Sequence, residues 1–217
     1  MSTKFVSRAA LLVLSLALAS QVQAATKTLY DNGADTMTSA WNISSGYQVT
    51  NSFELADAST LTSISFSSWL SQGDAPVSVN WAISNIAPSV GAPTTPIFLG
   101  TTSLLNLTSQ SLPNSMGYDV YNASFTLNKT LGPGTYYLTL GNEITSRVSG
   151  TGDTIGGFIG KSNGLSTAVQ YDPTDLSTSS ITSSSFQING VTPVPEPASF
   201  ALLAAGVGVL VLRFRRT

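Results

Sequence analysis

From residue 25 to residue 193 apolar and polar positions alternate with a period of two. Val77, Val79, Trp81 and Ile83 are interleaved with Ser78, Asn80, Ala82 and Ser84. Tyr121, Ala123, Phe125 and Leu127 repeat the pattern, as do Tyr136, Leu138 and Leu140 against Thr135, Tyr137 and Thr139. Tyr47, Val49, Phe53 and Leu55 follow it with Asn51 as the exception, and Ile64 and Phe66 stand between serines. Successive side chains of a strand point to opposite faces, so this spacing predicts sheets with one apolar face and one Ser/Thr-rich face. Turn residues punctuate the runs: Asp31-Asn32-Gly33, Ser45-Gly46, Gln72-Gly73-Asp74, Gly91-Ala92-Pro93, Leu112-Pro113-Asn114 and Gly132-Pro133-Gly134. No stretch carries a sustained 3.6-residue period. The expectation is an all-β domain over residues 25–190, eight to ten strands in a jelly-roll-like antiparallel β-sandwich, with a closed barrel as the alternative. Tyr171–Ser185, nearly all Ser and Thr after Asp172-Pro173-Thr174-Asp175, reads as a loop returning to a last strand at Phe186, Ile188 and Val191.

Both ends of the chain break this pattern. Lys4 and Arg8 precede an apolar run, Ala9–Ala19, and small residues at Val22 and Ala24 fit cleavage between Ala24 and Ala25. Residues 1–24 therefore read as a secretory signal peptide and an export route of the Sec kind. At the other end residues 191–197 form a Pro-rich linker. Pro195 and Pro197 flank Glu196 and keep the chain extended. Residues 198–212 carry no charge, and residues 213–217 are a basic tail with Arg213, Arg215 and Arg216. A helix of that length reaches about 22 Å against about 30 Å of hydrocarbon, so it reads as a marginal transmembrane helix with its arginines on the cytoplasmic side.

Pro-Glu-Pro, a short apolar span and a terminal arginine cluster together resemble the PEP-CTERM sorting signal of Gram-negative bacteria. The resemblance implies recognition by an exosortase, a membrane-embedded protease, with cleavage near Pro195-Glu196-Pro197. It also implies transient anchoring in the inner membrane, then release to the cell surface or beyond, in a host that makes exopolysaccharide and a biofilm matrix. Leu29–Gly33, Ala40-Trp41-Asn42, Gln48–Phe53, Ser65–Trp69, Val79–Ser84 and Gly134–Leu140 are similar to segments of exported PEP-CTERM proteins whose domains mostly have no assigned activity.

Composition narrows the chemistry. The chain holds no histidine and no cysteine. Ser-His-Asp and Cys-His catalysis, and zinc sites built on imidazole or thiolate, are excluded. The exported fold also needs no disulfide. Ten acidic against four basic residues leave residues 25–193 with a net charge near −6, which argues against nucleic acid as a partner. Carboxylates, hydroxyls and aromatics remain. Glu54 and Glu143 are the candidate glycosidase pair, although Glu54 falls on the Ser/Thr side of its strand. Asp31 and Asp35 place oxygen ligands at a density that calcium would use, without EF-hand spacing; a plain Asx turn is the other reading. Trp41, Trp69, Tyr118 and Tyr137 lie near turns or off the inward pattern and are candidates for stacking on sugar rings, whereas Trp81 falls in the inward set. Asp153 lies in a glycine-rich stretch that reads as a loop.

The expectation is an exported, non-enzymatic structural or interaction sandwich without a cofactor. A carbohydrate-binding module for exopolysaccharide is the alternative, and a glycoside hydrolase stands further off.

Overall fold

The computed structural model describes residues 25–88, 95–109, 113–146 and 157–193. The signal peptide, the Asp153 loop, the Pro-Glu-Pro motif, the apolar span and the basic tail lie outside the described residues. Thr26–Thr192 forms one compact unit.

Within it the described residues form thirteen strands and no helix. They are β1 (Lys27–Asp31), β2 (Asp35–Asn42), β3 (Gln48–Leu55), β4 (Ser59–Ser71), β5 (Pro76–Ser84), β6 (Phe98–Ser103) and β7 (Leu105–Ser109). Then follow β8 (Tyr118–Leu131), β9 (Gly134–Thr145), β10 (Phe158–Ser162), β11 (Ala168–Asp172), β12 (Ser177–Ile181) and β13 (Phe186–Val191). Seven strands make a first sheet centred on β4, which pairs along its length with β8 and, in two halves, with β13 and β10. β1 and β2 line the far sides of β13 and β10, and β7 adds to β8. The second sheet runs β12-β11-β3-β9-β5-β6. All pairings are antiparallel, and the chain crosses between sheets after β2, β3, β4, β6, β8, β9, β10 and β12. The fold is a two-sheet sandwich with this jelly-roll-like crossing.

Thirteen strands replace the expected eight to ten, for two local reasons. The first edge is interrupted at Asn32–Ala34, which divides it into β1 and β2. The Ser/Thr stretch taken for a loop is a strand: β12 pairs residue by residue with β11. The backbone bonds on its β11 side form whatever its side chains are. The turn between them is built by the residues read as breakers. Asp172 Oδ1 accepts from the Thr174 amide at 2.8 Å, Asp175 Oδ1 accepts from Ser177 at 2.9 Å, and Leu176 takes φ 58°.

The core lies where the alternation placed it. Val79, Trp81, Ile83, Ala123, Phe125, Leu138, Leu140, Ile64, Phe66, Val49 and Phe53 are all buried between the sheets. Trp81 stacks on Phe125 with ring centres 6.0 Å apart. Val77 is the departure, at 44 % exposure. Asn51, the polar exception in its strand, does point inward. Its Nδ2 donates to Ser184 Oγ at 2.6 Å, and its Oδ1 accepts from the Ser184 amide at 3.2 Å. A buried amide is tolerable only with such partners.

Candidate functional site

The break between β1 and β2 organises the polar centre of the molecule. Gly33 takes φ 85°, a backbone conformation that suits glycine. Asn32, beside it, is 1 % exposed. Its amide donates to Ser166 Oγ at 2.9 Å and to the Ser184 carbonyl at 2.6 Å, and it also bonds Ser183 Oγ. Ser162, Ser166, Ser183, Ser184 and Asn51 complete a buried network of neutral groups that ties this turn to β3, β10 and the segment before β13. A side chain on Gly164 would collide with the Asn32 backbone, so the network requires glycine there.

Asp31 and Asp35, the candidate calcium ligands, flank that turn. Asp31 Oδ1 accepts from the Gly33 amide at 2.8 Å. Asp35 reaches across its neighbour β10 to β4. Its Oδ1 accepts from the Met37 amide at 2.8 Å, and its Oδ2 accepts from both Ser67 Oγ and Trp69 Nε1 at 2.5 Å. The crossing is possible because Gly160 lies beneath, where any side chain would occupy the carboxylate's place. Among the described residues no group of three or more acidic side chains is placed to hold a metal ion.

This bridge corrects the reading of Trp69. Alternation along β4 turns it to the outer face, as expected of a sugar-stacking residue, yet it is only 2 % exposed. Tyr118 and Phe158 cover it: the Trp69 and Tyr118 ring centres are 6.0 Å apart, and Tyr118 meets Phe158 edge-on at 5.8 Å. The aromatic face is spent on its neighbours. Trp41 pairs with the buried Ile159 and packs, half-buried, against the core. Tyr137 is half-buried on the outer face of the second sheet, between Ser52 and Ser84. The four aromatics thus do not form one platform.

Two hollows open on either side of the β1–β2 turn. One, about 640 Å³, runs over the outer face of the first sheet and is lined by Asp31, Ser65, Ser67, Asn122, Thr108 and Gln187, among others. The other, about 940 Å³, takes Ser52, Glu54, Thr135, Asn163 and Leu165. Hydroxyls, amides and carboxylates line both, interspersed with apolar surface.

The candidate glycosidase pair is not brought together. Glu54 is exposed, opposite Thr135 on the outer face of the second sheet. Glu143 is 5 % exposed and points between the sheets. Ser68 Oγ donates to its Oε1 at 2.8 Å, while Oε2 has no hydrogen-bond partner among the described residues. Burial drives its pKa up to about 8; the Ser68 bond opposes the shift and the nearby Asp74 charge adds to it. Asp74 is also buried, with Oδ1 accepting from Ser146 Oγ at 2.6 Å and from the Ala75 amide at 2.9 Å. A side chain on Gly157 would overlap the Glu143 carboxyl. Asp74, a turn residue by sequence, and the glycines Gly157 and Gly160 owe these roles to neighbours remote in the chain.

Outside the sandwich, residues 193–216 match the family model described as the PEP-CTERM protein-sorting motif. The chain carries a PEP-CTERM sorting motif. The match covers Pro195, Glu196, Pro197, Arg213, Arg215 and Arg216, the residues on which the resemblance was drawn. The PEP-CTERM motif is an exosortase recognition signal, so the chain is an exported protein, anchored in the membrane before cleavage and then displayed at the cell surface. No curated protein and no solved structure matches the chain. Among the described residues no helix is long and apolar enough to cross a membrane.

Proposed function

We propose that this PEP-CTERM chain is a non-enzymatic surface or matrix protein that works through contacts made by its sandwich. The observation that carries the reading is the separation of its carboxylates. Glu54 faces water on one side of the second sheet, and Glu143 lies beneath the other, closed over by Gly157. A hydrolase needs both groups flanking one bond in one cleft. The second hollow does hold Asp31, Asp35 and Glu54, but Asp31 accepts from the Gly33 amide and Asp35 from Ser67 and Trp69. The rest of its lining offers mainly hydroxyls and amides, which bind by many weak, hydrated contacts. The test is to incubate the secreted chain with a panel of polysaccharides and follow new reducing ends. No turnover is expected from the wild type or from Glu143→Gln; turnover lost in Glu143→Gln would overturn the reading.

A second reading, carbohydrate binding, is favoured by one feature. The hollow over the first sheet is lined by Ser65, Ser67 and Asn122 together with the carboxylates of Asp31 and Asp35. That set of donors and acceptors suits the hydroxyls of a neutral glycan. Glycan-array binding, with Asn122→Ala as the control, tests it: binding unchanged in that variant would place the glycan elsewhere.

A further inference from the structure

Among the described residues the second sheet ends in two unpaired edges. Among the described residues β6 pairs only with β5, and β12 only with β11. Edge strands present a row of unpaired N–H and C=O groups, and exported proteins usually blunt them with charge, proline or a break. The first sheet does so: β1 and β2 carry Lys27, Asp31 and Asp35 and are interrupted at Asn32–Ala34. The second sheet does not. β6 reads FLGTTS and β12 reads STSSI, with neither charge nor proline. Lys129, from β8, lies over the Phe98 ring, 5.1 Å from its centre.

The two edges are also complementary. Six antiparallel strands alternate in direction, so β6 and β12 run oppositely. A second copy translated along the sheet places its β12 antiparallel to β6. Hydrogen-bond phase agrees. Leu104 donates to the Val77 carbonyl, so by alternation Phe98, Gly100 and Thr102 bond β5 while Leu99, Thr101 and Ser103 face outward. Ser52 donates to the Thr167 carbonyl, so β11 turns Ala168, Gln170 and Asp172 to β12, leaving Thr178 and Ser180 outward. Setting Leu99 against Ser180 and Thr101 against Thr178 satisfies both rows. The same register puts Phe98 opposite Ile181 on the inner side.

We infer that the partner of these edges is a second copy of the chain, joined β6 to β12 in this register, head to tail. Such a joint uses two different surfaces, so it propagates instead of closing on itself, and the twist between strands winds the product into a helical filament. This deepens the structural reading of the function and rests on it. Absence of assembly with no polysaccharide turnover would remove the filament alone, whereas turnover would remove the structural reading.

The experiment uses the full chain in mild detergent, followed by sedimentation velocity and negative-stain microscopy. The wild type should form a concentration-dependent series of species and thin filaments. Thr101→Pro and Thr178→Pro remove outward-facing N–H groups only, so each should fold by circular dichroism and stay monomeric alone. Their equimolar mixture should stop at dimers. A chain with Thr101→Lys and Thr178→Lys sets like charges opposite at every joint and should associate at least tenfold more weakly in low salt. Thr101→Lys with Thr178→Glu should restore association. A monomeric wild type, a proline variant that dimerises by itself, or filaments from the chain carrying both prolines would overturn the proposal.

Discussion

The two sheets share one core but treat their outer sides differently. On the first sheet the outer face is tied down by side chains: Asp35 spans β10 to hold Ser67 and Trp69, and Tyr118 and Phe158 close over the indole. Its β1–β2 edge is charged and broken. On the second sheet the outer face carries short polar pairs, such as Thr50 against Thr139 at 2.8 Å, beside Glu54 and Tyr137, and its edge strands are uncharged. An aromatic on an outer face is therefore no evidence of a binding platform. What decides is whether another element can reach over it, and on the first sheet a glycine lets a carboxylate do so.

The difference can be broken at chosen points. Gly160→Val should have the largest effect, because the new side chain takes the place of the Asp35 carboxylate and uncovers Trp69 as well; a loss above about 3 kcal/mol is expected in urea unfolding. Glu143 tests the interior below the same sheet. Its folded pKa is raised, so the folded state holds a proton that the unfolded state releases. Its contribution is complete below about pH 4.5 and is lost as pH rises to about 8. Stability should fall by an amount on the order of a few kcal/mol across that window, and Glu143→Gln should flatten this part of the profile. Asp35→Ala leaves the buried indole N–H without its acceptor and should cost about 2 kcal/mol in the same unfolding measurement. Thr139→Val on the second sheet should cost no more than about 1 kcal/mol, since it removes one neutral, half-buried hydroxyl bond to Thr50 and the branched side chain suits a strand. A cost for Thr139→Val equal to that for Asp35→Ala would erase the contrast between the faces.

Much of the architecture was readable because strand burial depends on neighbours two residues away. That local rule located Val79, Trp81, Phe125, Leu138 and Leu140 in the core and put Glu54 in water. It failed for β12, where side chains carry no apolar signal and the pairing with β11 supplies the whole reason for the strand. It also failed for Trp69: outward by alternation, it is buried by residues 34 positions before it and about 50 and 90 after it. The candidate site was half legible. Asp31 and Asp35 were marked by their crowding at a turn, while Asp74, Gly157 and Gly160 offered no signal of their own.

By itself the sequence determined the all-β class, the inward-facing residues, the exclusion of histidine and cysteine chemistry, and the sorting address in residues 193–216. Each of these is written in composition or in spacing along the chain. Only the tertiary structure decided which polar groups are paired, which aromatics are covered and which strands are left as edges. Those outcomes depend on β-sheet register between segments far apart in sequence, and register is fixed by the packing of the whole sandwich.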